Sequence, residues 1–262
     1  MRLADVGWVW EGQGLDPGVS PSIFGVGEGA VFFGLRKVRF IFHPTTDLAL
    51  EKLGDKESVV CDISKWKFRN CGERGGSECF TDSTLDEICA EAEKVGRFSS
   101  KYPNVTGCFF DDMKGLLDHR GHGIDAVAAI YEAVKKHNPH LTLTSVVYAH
   151  ELDAPEFWRP LASYIDVVSF WIWRYQDLWD LDTHVARCRA VFPDKPIVMG
   201  CYLRDYPSRA AVPMDALQHQ WTTMAQAIDA GTLAGFEILG TVLIDGHLEQ
   251  ATWVRDFIRE HS

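Results

Sequence analysis

The sequence predicts one (β/α)8 barrel domain over residues 1–262, and three observations carry that prediction. Short β-branched or aromatic runs alternate with longer amphipathic stretches throughout, the pattern of repeated βα units around a parallel sheet. Eight such pairs fill the 262 residues, and a barrel of this kind takes about 250. Runs such as YIDVVSFWIW and KPIVMGCYL are almost continuously apolar, as strands are when both faces of a parallel sheet are covered. A doubly wound open sheet would instead show a Gly-rich fingerprint after its first strand. Here that strand runs into WVWEGQG, with bulky and acidic residues where a pyrophosphate would lie.

The elements follow in order. The first strand is Asp5–Trp10, with a short helix around Pro21–Leu35, and the second is Val38–Phe42, with a helix over Thr46–Gly54. The third strand, Ser58–Ile63, leads through a Gly-rich loop to a helix capped by Thr81 or Ser83 and reaching about Tyr102. The fourth is Val105–Phe110, followed by a helix from Gly123 to His137, and the fifth is Leu141–Tyr148, followed by Pro155–Ala162. The sixth is Ile165–Trp171, with a helix near Asp182–Phe192. The seventh, Pro196–Leu203, precedes a long helix from Pro213 to Ala230, and the eighth, Ala234–Leu239, is closed by Leu248–Glu260.

Composition narrows the partners. Lys plus Arg total 26 against 37 Asp plus Glu, a net charge of −11, and no segment concentrates basic residues. Such a surface repels phosphate backbones, so nucleic acid is excluded as a partner. No apolar run approaches the roughly 18 residues of a membrane span, and MRLADVGWVW does not read as a secretory leader. The expectation is a cytoplasmic protein, monomeric or homodimeric, with reduced thiols. Its seven cysteines include no CxxC spacing, and only Cys71 and Cys79, which flank the Gly-rich loop, suggest a pair.

A barrel gathers its reactive groups at the C-terminal ends of its strands. Those ends supply Trp8, Trp10 and Glu11, then His43, then Asp62, Lys65 and Trp66. Next come Asp111 and Asp112, then Tyr148 and Glu151, then Trp171 and Trp173, then Tyr202 and Arg204, and finally Glu237. The opposite ends offer only ordinary loop residues such as Asn104, His140 and Lys195. The strongest local signal is VTGCFFDDM, in which a strand runs into two adjacent acids. Alternation puts Asp111 and Asp112 on opposite sides of an extended chain, so either one points into the barrel mouth while the other meets a neighbouring strand or caps the next helix; Asp111 is slightly favoured as the catalytic group. Glu237 sits in the apolar run GFEILG, where a carboxylate must be paired or carry a raised pKa.

Carboxylates and indoles at one mouth suit a sugar: aromatic faces stack on pyranose C–H faces, and paired carboxylates perform glycoside hydrolysis. Asp111, Asp112 and Glu237 are the expected catalytic set. Trp8, Glu11, His43, Asp62, Tyr148, Glu151, Trp171, Trp173, Tyr202 and Arg204 are the expected substrate-binding set, with no metal or other cofactor. GCFFDDM and the acidic, Trp-rich strand ends resemble the (β/α)8 glycoside hydrolases, several families of which place an acidic strand-end motif at the catalytic centre. That resemblance implies a carbohydrate substrate and hydrolysis of O-glycosidic bonds. The chain departs from two family patterns, having no Asn-Glu after the fourth strand and no DxxDxDxE run. Two other functions stay open. One is a sugar isomerase or epimerase holding Mg²⁺ or Mn²⁺ through His43, Asp62, Asp111, Glu151 or Glu237. The other is a sugar-binding barrel without catalysis.

Overall fold

A computed structural model describes residues 2–11, 22–65, 67–70 and 77–262. Eight parallel strands close into a barrel: β1 (Gly7–Trp10), β2 (Lys37–Phe40), β3 (Ser58–Asp62), β6 (Val105–Phe110), β7 (Thr142–Tyr148), β8 (Val167–Trp171), β9 (Ile197–Tyr202) and β12 (Gly235–Leu239). Each pairs with the next, and β12 returns to β1 in the register Trp8 to Glu237. The fold class read from the sequence is therefore the one the chain adopts.

The helices α2 (Val26–Phe33), α3 (Asp47–Lys52), α4 (Leu85–Lys101), α6 (Ile124–Lys135), α7 (Pro155–Leu161), α8 (Leu181–Val191), α9 (Met214–Asp229) and α10 (Leu248–Glu260) follow their strands. Each turns an apolar stripe inward, such as Ile88, Ala92 and Val95 on α4, against the outward residues of the strands. Burying one such aliphatic side chain contributes about 1.5–3 kcal/mol. The start of α4 is set by Thr84 rather than Thr81 or Ser83. Its hydroxyl accepts from the Glu87 N–H at 3.2 Å while Glu87 accepts from the Thr84 N–H at 2.7 Å, a reciprocal cap.

Four features were not expected. Residues 3–6 form a helical turn, α1 (Leu3–Val6), where the first strand was to begin. A hairpin of β4 (Lys67–Asn70) and β5 (Ser77–Phe80) stands between β3 and α4, and a two-residue ribbon, β10 (Arg204–Asp205) with β11 (Ala210–Ala211), follows β9. The short helix α5 (Met113–Arg120) begins directly after Asp112. Cys61, Cys108, Cys188 and Cys201 are buried free thiols and Cys89 is half-buried; Cys71 lies outside the described residues. No helix among the described residues is long and apolar enough to cross a membrane.

Candidate active site

Inward-facing residues stack in layers through the barrel. In the middle layer Arg39 of β2 crosses to Glu237 of β12, Nε to Oε2 at 2.9 Å, and reaches Thr144 Oγ1 of β7 at 3.3 Å. The Ser169 hydroxyl of β8 donates to Glu237 Oε1. Trp8 stacks under the Arg39 guanidinium at 4.3 Å, at the N-terminal end of β1. Above this polar layer lie three rings. Trp10 meets Phe109 edge-on at 4.5 Å and Trp171 at 5.1 Å, and Trp171 donates its indole N–H to Ser169 at 2.7 Å. The Trp171 ring occupies the space that a Cβ on Gly200 would need, so glycine on β9 is what lets the indole lie across the barrel.

Over that aromatic floor, β6 delivers its two acids. Asp111 continues the inward side of the strand after Gly107 and Phe109 and is 8% exposed. Asp112 leaves the strand in the left-handed region, φ 45 and ψ 40, which Asp tolerates better than most residues. This single reversal cancels the alternation expected from sequence. Both carboxylates end beside the same two phenols, Tyr148 at the end of β7 and Tyr202 at the end of β9, and their charges help push both phenol pKa values well above the ordinary value. In each case burial is the larger cause. The Tyr148 hydroxyl donates to Asp112 Oδ1 at 3.0 Å, and Asp111 Oδ1 accepts from the Asp112 N–H at 3.0 Å. Burial raises the pKa of Asp112, against the opposing pull of the Tyr148 hydrogen bond and of His150.

An aromatic wall rises beside the acids. Trp173 is 39% exposed, stacks on Tyr206 at 5.4 Å and stands perpendicular to Tyr148 at 5.9 Å and to Tyr202 at 6.1 Å. Trp171 tilts against Tyr202 at 4.6 Å. Glu151 lies just behind, in the 3-10 turn 149–153, where its Oε2 accepts from the Tyr148 N–H at 3.0 Å. Burial and the nearby Asp112 charge raise its pKa to about 7, with the Tyr148 hydrogen bond and Lys114 working the other way.

Several expected site residues are placed elsewhere. Glu237 does not join Asp111 and Asp112 at the mouth: it is fully buried beneath the aromatic floor, with both oxygens engaged by Arg39 and Ser169. Trp8 is likewise below the floor, because it sits near the start of β1 rather than at its end. Asp62 is 2% exposed and turned back on its own loop. One oxygen accepts from the N–H and hydroxyl of Ser64 and the other from the Lys65 N–H at 3.1 Å, while burial raises its pKa. Such an Asx turn fixes the chain after β3. Glu11 and His43 form a separate pair, 3.6 Å apart, at the ends of β1 and β2, and the Glu11 hydrogen bond raises the His43 pKa. Arg204 is buried at the start of the β10 ribbon, beside a small cavity that Trp173 and Tyr202 also line. Trp66 lies outside the described residues.

The sequence reading omitted Tyr206 from the aromatic wall and Arg39 from the interior. Tyr206 stands past the strand end in a loop, where position alone gives no direction. Arg39 had a visible signal in VRFIF: one cation on an inward position of an apolar strand demands a buried acid.

No protein-family model matches the chain, and no curated protein matches it. Solved structures do. Bacteroides uniformis β-glucuronidase 2, covalently bound to cyclophellitol-6-carboxylate aziridine, superposes with a TM-score of 0.60 at 12% identity, over 91% of this chain and 31% of that one. A family 18 chitinase from Crocus vernus gives 0.53 at 11% identity over 97% and 98%. The Ignisphaera aggregans GH53 catalytic domain gives 0.54 at 11% identity over 81% and 75%. The chain thus resembles barrel glycoside hydrolases in fold. It spans about a third of the length of the β-glucuronidase chains it matches. At these identities the likeness is one of fold alone.

Proposed function

We propose that the protein is a carbohydrate-active barrel enzyme that hydrolyses O-glycosidic bonds with Asp111 and Asp112. The observation that carries this reading is the meeting of two adjacent carboxylates, a phenol donor and an exposed indole platform at the C-terminal ends of β6, β7, β8 and β9. Fold kinship with glycoside hydrolases is in keeping with it. In this reading Asp112, kept protonatable by burial, gives its proton to the leaving oxygen, and Tyr148 orients it. Asp111 acts as the companion carboxylate, and a sugar ring rests on the outer face of Trp173. Glu237 has no part in the chemistry and serves to hold the barrel interior. Residues 1–262 are taken as one domain.

The test is hydrolysis of a panel of 4-nitrophenyl glycosides by wild type, Asp111→Asn, Asp112→Asn and Glu237→Gln. Asp112→Asn should lower kcat/KM by about 10²–10⁴ on any substrate that wild type turns over, with its melting temperature nearly unchanged. Full turnover by both Asp variants would overturn the assignment. No observation favours the metal-dependent isomerase. Among the described residues no three His, Cys, Asp or Glu side chains gather as a metal-holding group. Of the five expected ligands, His43 pairs with Glu11, Asp62 closes its own turn and Glu237 lies in the interior.

A further inference from the structure

Away from the acids, a cavity of about 390 Å³ opens between α2 and α3 at the ends of β1 and β2. That volume lies within the range of small-molecule pockets, roughly 300–1,000 Å³. Its walls are mainly apolar: Val26 of α2, the outward-facing Phe40 of β2, and Ala49 and Leu53 of α3. Leu48, 77% exposed, stands at the lip with its apolar side chain mostly in water. Lys52 and Glu28, 3.7 Å apart, tie α3 to α2 across the edge.

One feature of the lining is out of keeping with a purely apolar pocket. Glu11 is 7% exposed, and among the described residues its side chain has one partner, the mostly exposed His43 imidazole at 3.6 Å. A buried carboxylate offers about four lone-pair sites, and leaving them unfilled costs stability. A ligand that brings its own donor would fill them. Of the charged lining residues Glu11 is the buried one, whereas Lys52 stands at the edge with its side chain 68% exposed, so an anion deep enough to reach Glu11 would be repelled. A sugar would strand most of its hydroxyls against Phe40 and the aliphatic walls.

We propose that this cavity is a second binding site, independent of the hydrolase reading, for a small molecule with a hydrocarbon body and a hydroxyl or amine head directed at Glu11. The body packs between α2 and α3, and the head donates to the Glu11 carboxylate.

Four probes that differ only in the head group test it by amide-resolved NMR titration of the whole chain: benzyl alcohol, benzylamine, benzoate and toluene. Benzyl alcohol and benzylamine should shift the Val26, Gly27 and Ala49 amides saturably and leave those of Asp112 and Trp173 in place. Toluene should bind more weakly and benzoate not at all. Glu11→Gln should weaken benzylamine roughly tenfold or more, since a hydrogen bond to a charged group is lost. Ala49→Trp should fill the cavity and abolish binding, and Leu48→Trp, at the exposed lip, serves the same purpose if Ala49→Trp does not fold. The proposal is overturned by absence of saturable shifts, by benzoate binding as well as benzylamine, by shifts centred on Asp112, or by Glu11→Gln binding unchanged.

Discussion

The acids at the end of β6 and the acid in the middle of β12 are all largely withdrawn from water, yet their surroundings differ in kind. Glu237 faces a cation, Arg39, with Ser169 completing its shell, and aromatic rings lie above it. Asp112 faces a phenol, Tyr148, with a second carboxylate as its neighbour in sequence and an indole platform alongside. A guanidinium pairs with a carboxylate and fixes it in place, whereas at Asp112, beside a neutral donor, burial raises the pKa. Burial alone therefore does not mark a reactive acid. The charge of its partner does.

The largest effect that separates the two sites is on stability. Glu237→Ala would leave Arg39 as an uncompensated cation inside the barrel and should cost about 3–5 kcal/mol in urea denaturation. The double variant Arg39→Met with Glu237→Leu should recover most of that loss, because an apolar pair of similar volume replaces the ions. If the double variant is as unstable as the single one, the pair is not a closed unit and the contrast with the β6 acids weakens.

The next effect is pH-dependent. Glu151 has a folded-state pKa of about 7 against an ordinary value of 4.5. The folded chain therefore holds this proton more tightly than the unfolded chain. The resulting stability is fully present below about pH 4.5 and is lost as pH rises through 7. The whole contribution is at most about 3 kcal/mol. Glu151→Gln keeps an acceptor for the Tyr148 N–H but removes the titration, so its stability should change less between those pH values than that of wild type. Parallel profiles for the two proteins would refute the assignment.

The smallest effect is that of Tyr148→Phe. Removing the donor to Asp112 should cost about 0.5–1.5 kcal/mol and raise the Asp112 pKa further, since the lost bond favoured the charged form. Carboxyl-carbon NMR of Asp112 reads the direction. A downward shift would mean that Tyr148 does not serve as its donor.

Much of the barrel was legible because its signals are local. The strand Val105–Phe110 is read identically from sequence and structure, since an apolar run bounded by Asn104 and two acids leaves little choice of ends. The hairpin Lys67–Asn70 with Ser77–Phe80 was missed because its Gly-rich connection reads only as loop. The site was legible as a set of strand ends but not as a depth. Trp8 and Trp10 are two residues apart and share parity, yet one lies beneath Arg39 and the other in the floor above it. Depth depends on how far neighbouring strands are staggered, and that is fixed by pairing across the barrel rather than along the chain. The orientation of Asp112 was hidden for another reason: one left-handed residue reversed a parity that sequence alternation takes for granted.

The bare backbone at Gly200 acts as a keyhole for the Trp171 indole. A methyl group introduced there by Gly200→Ala would have no room beside the ring. It would tip the indole away from Ser169 and, through the ring contacts, disturb Trp10 on one side and Tyr202 on the other. A missing side chain on β9 thereby sets the alignment of rings carried by β8 and β1 and of one further along its own strand.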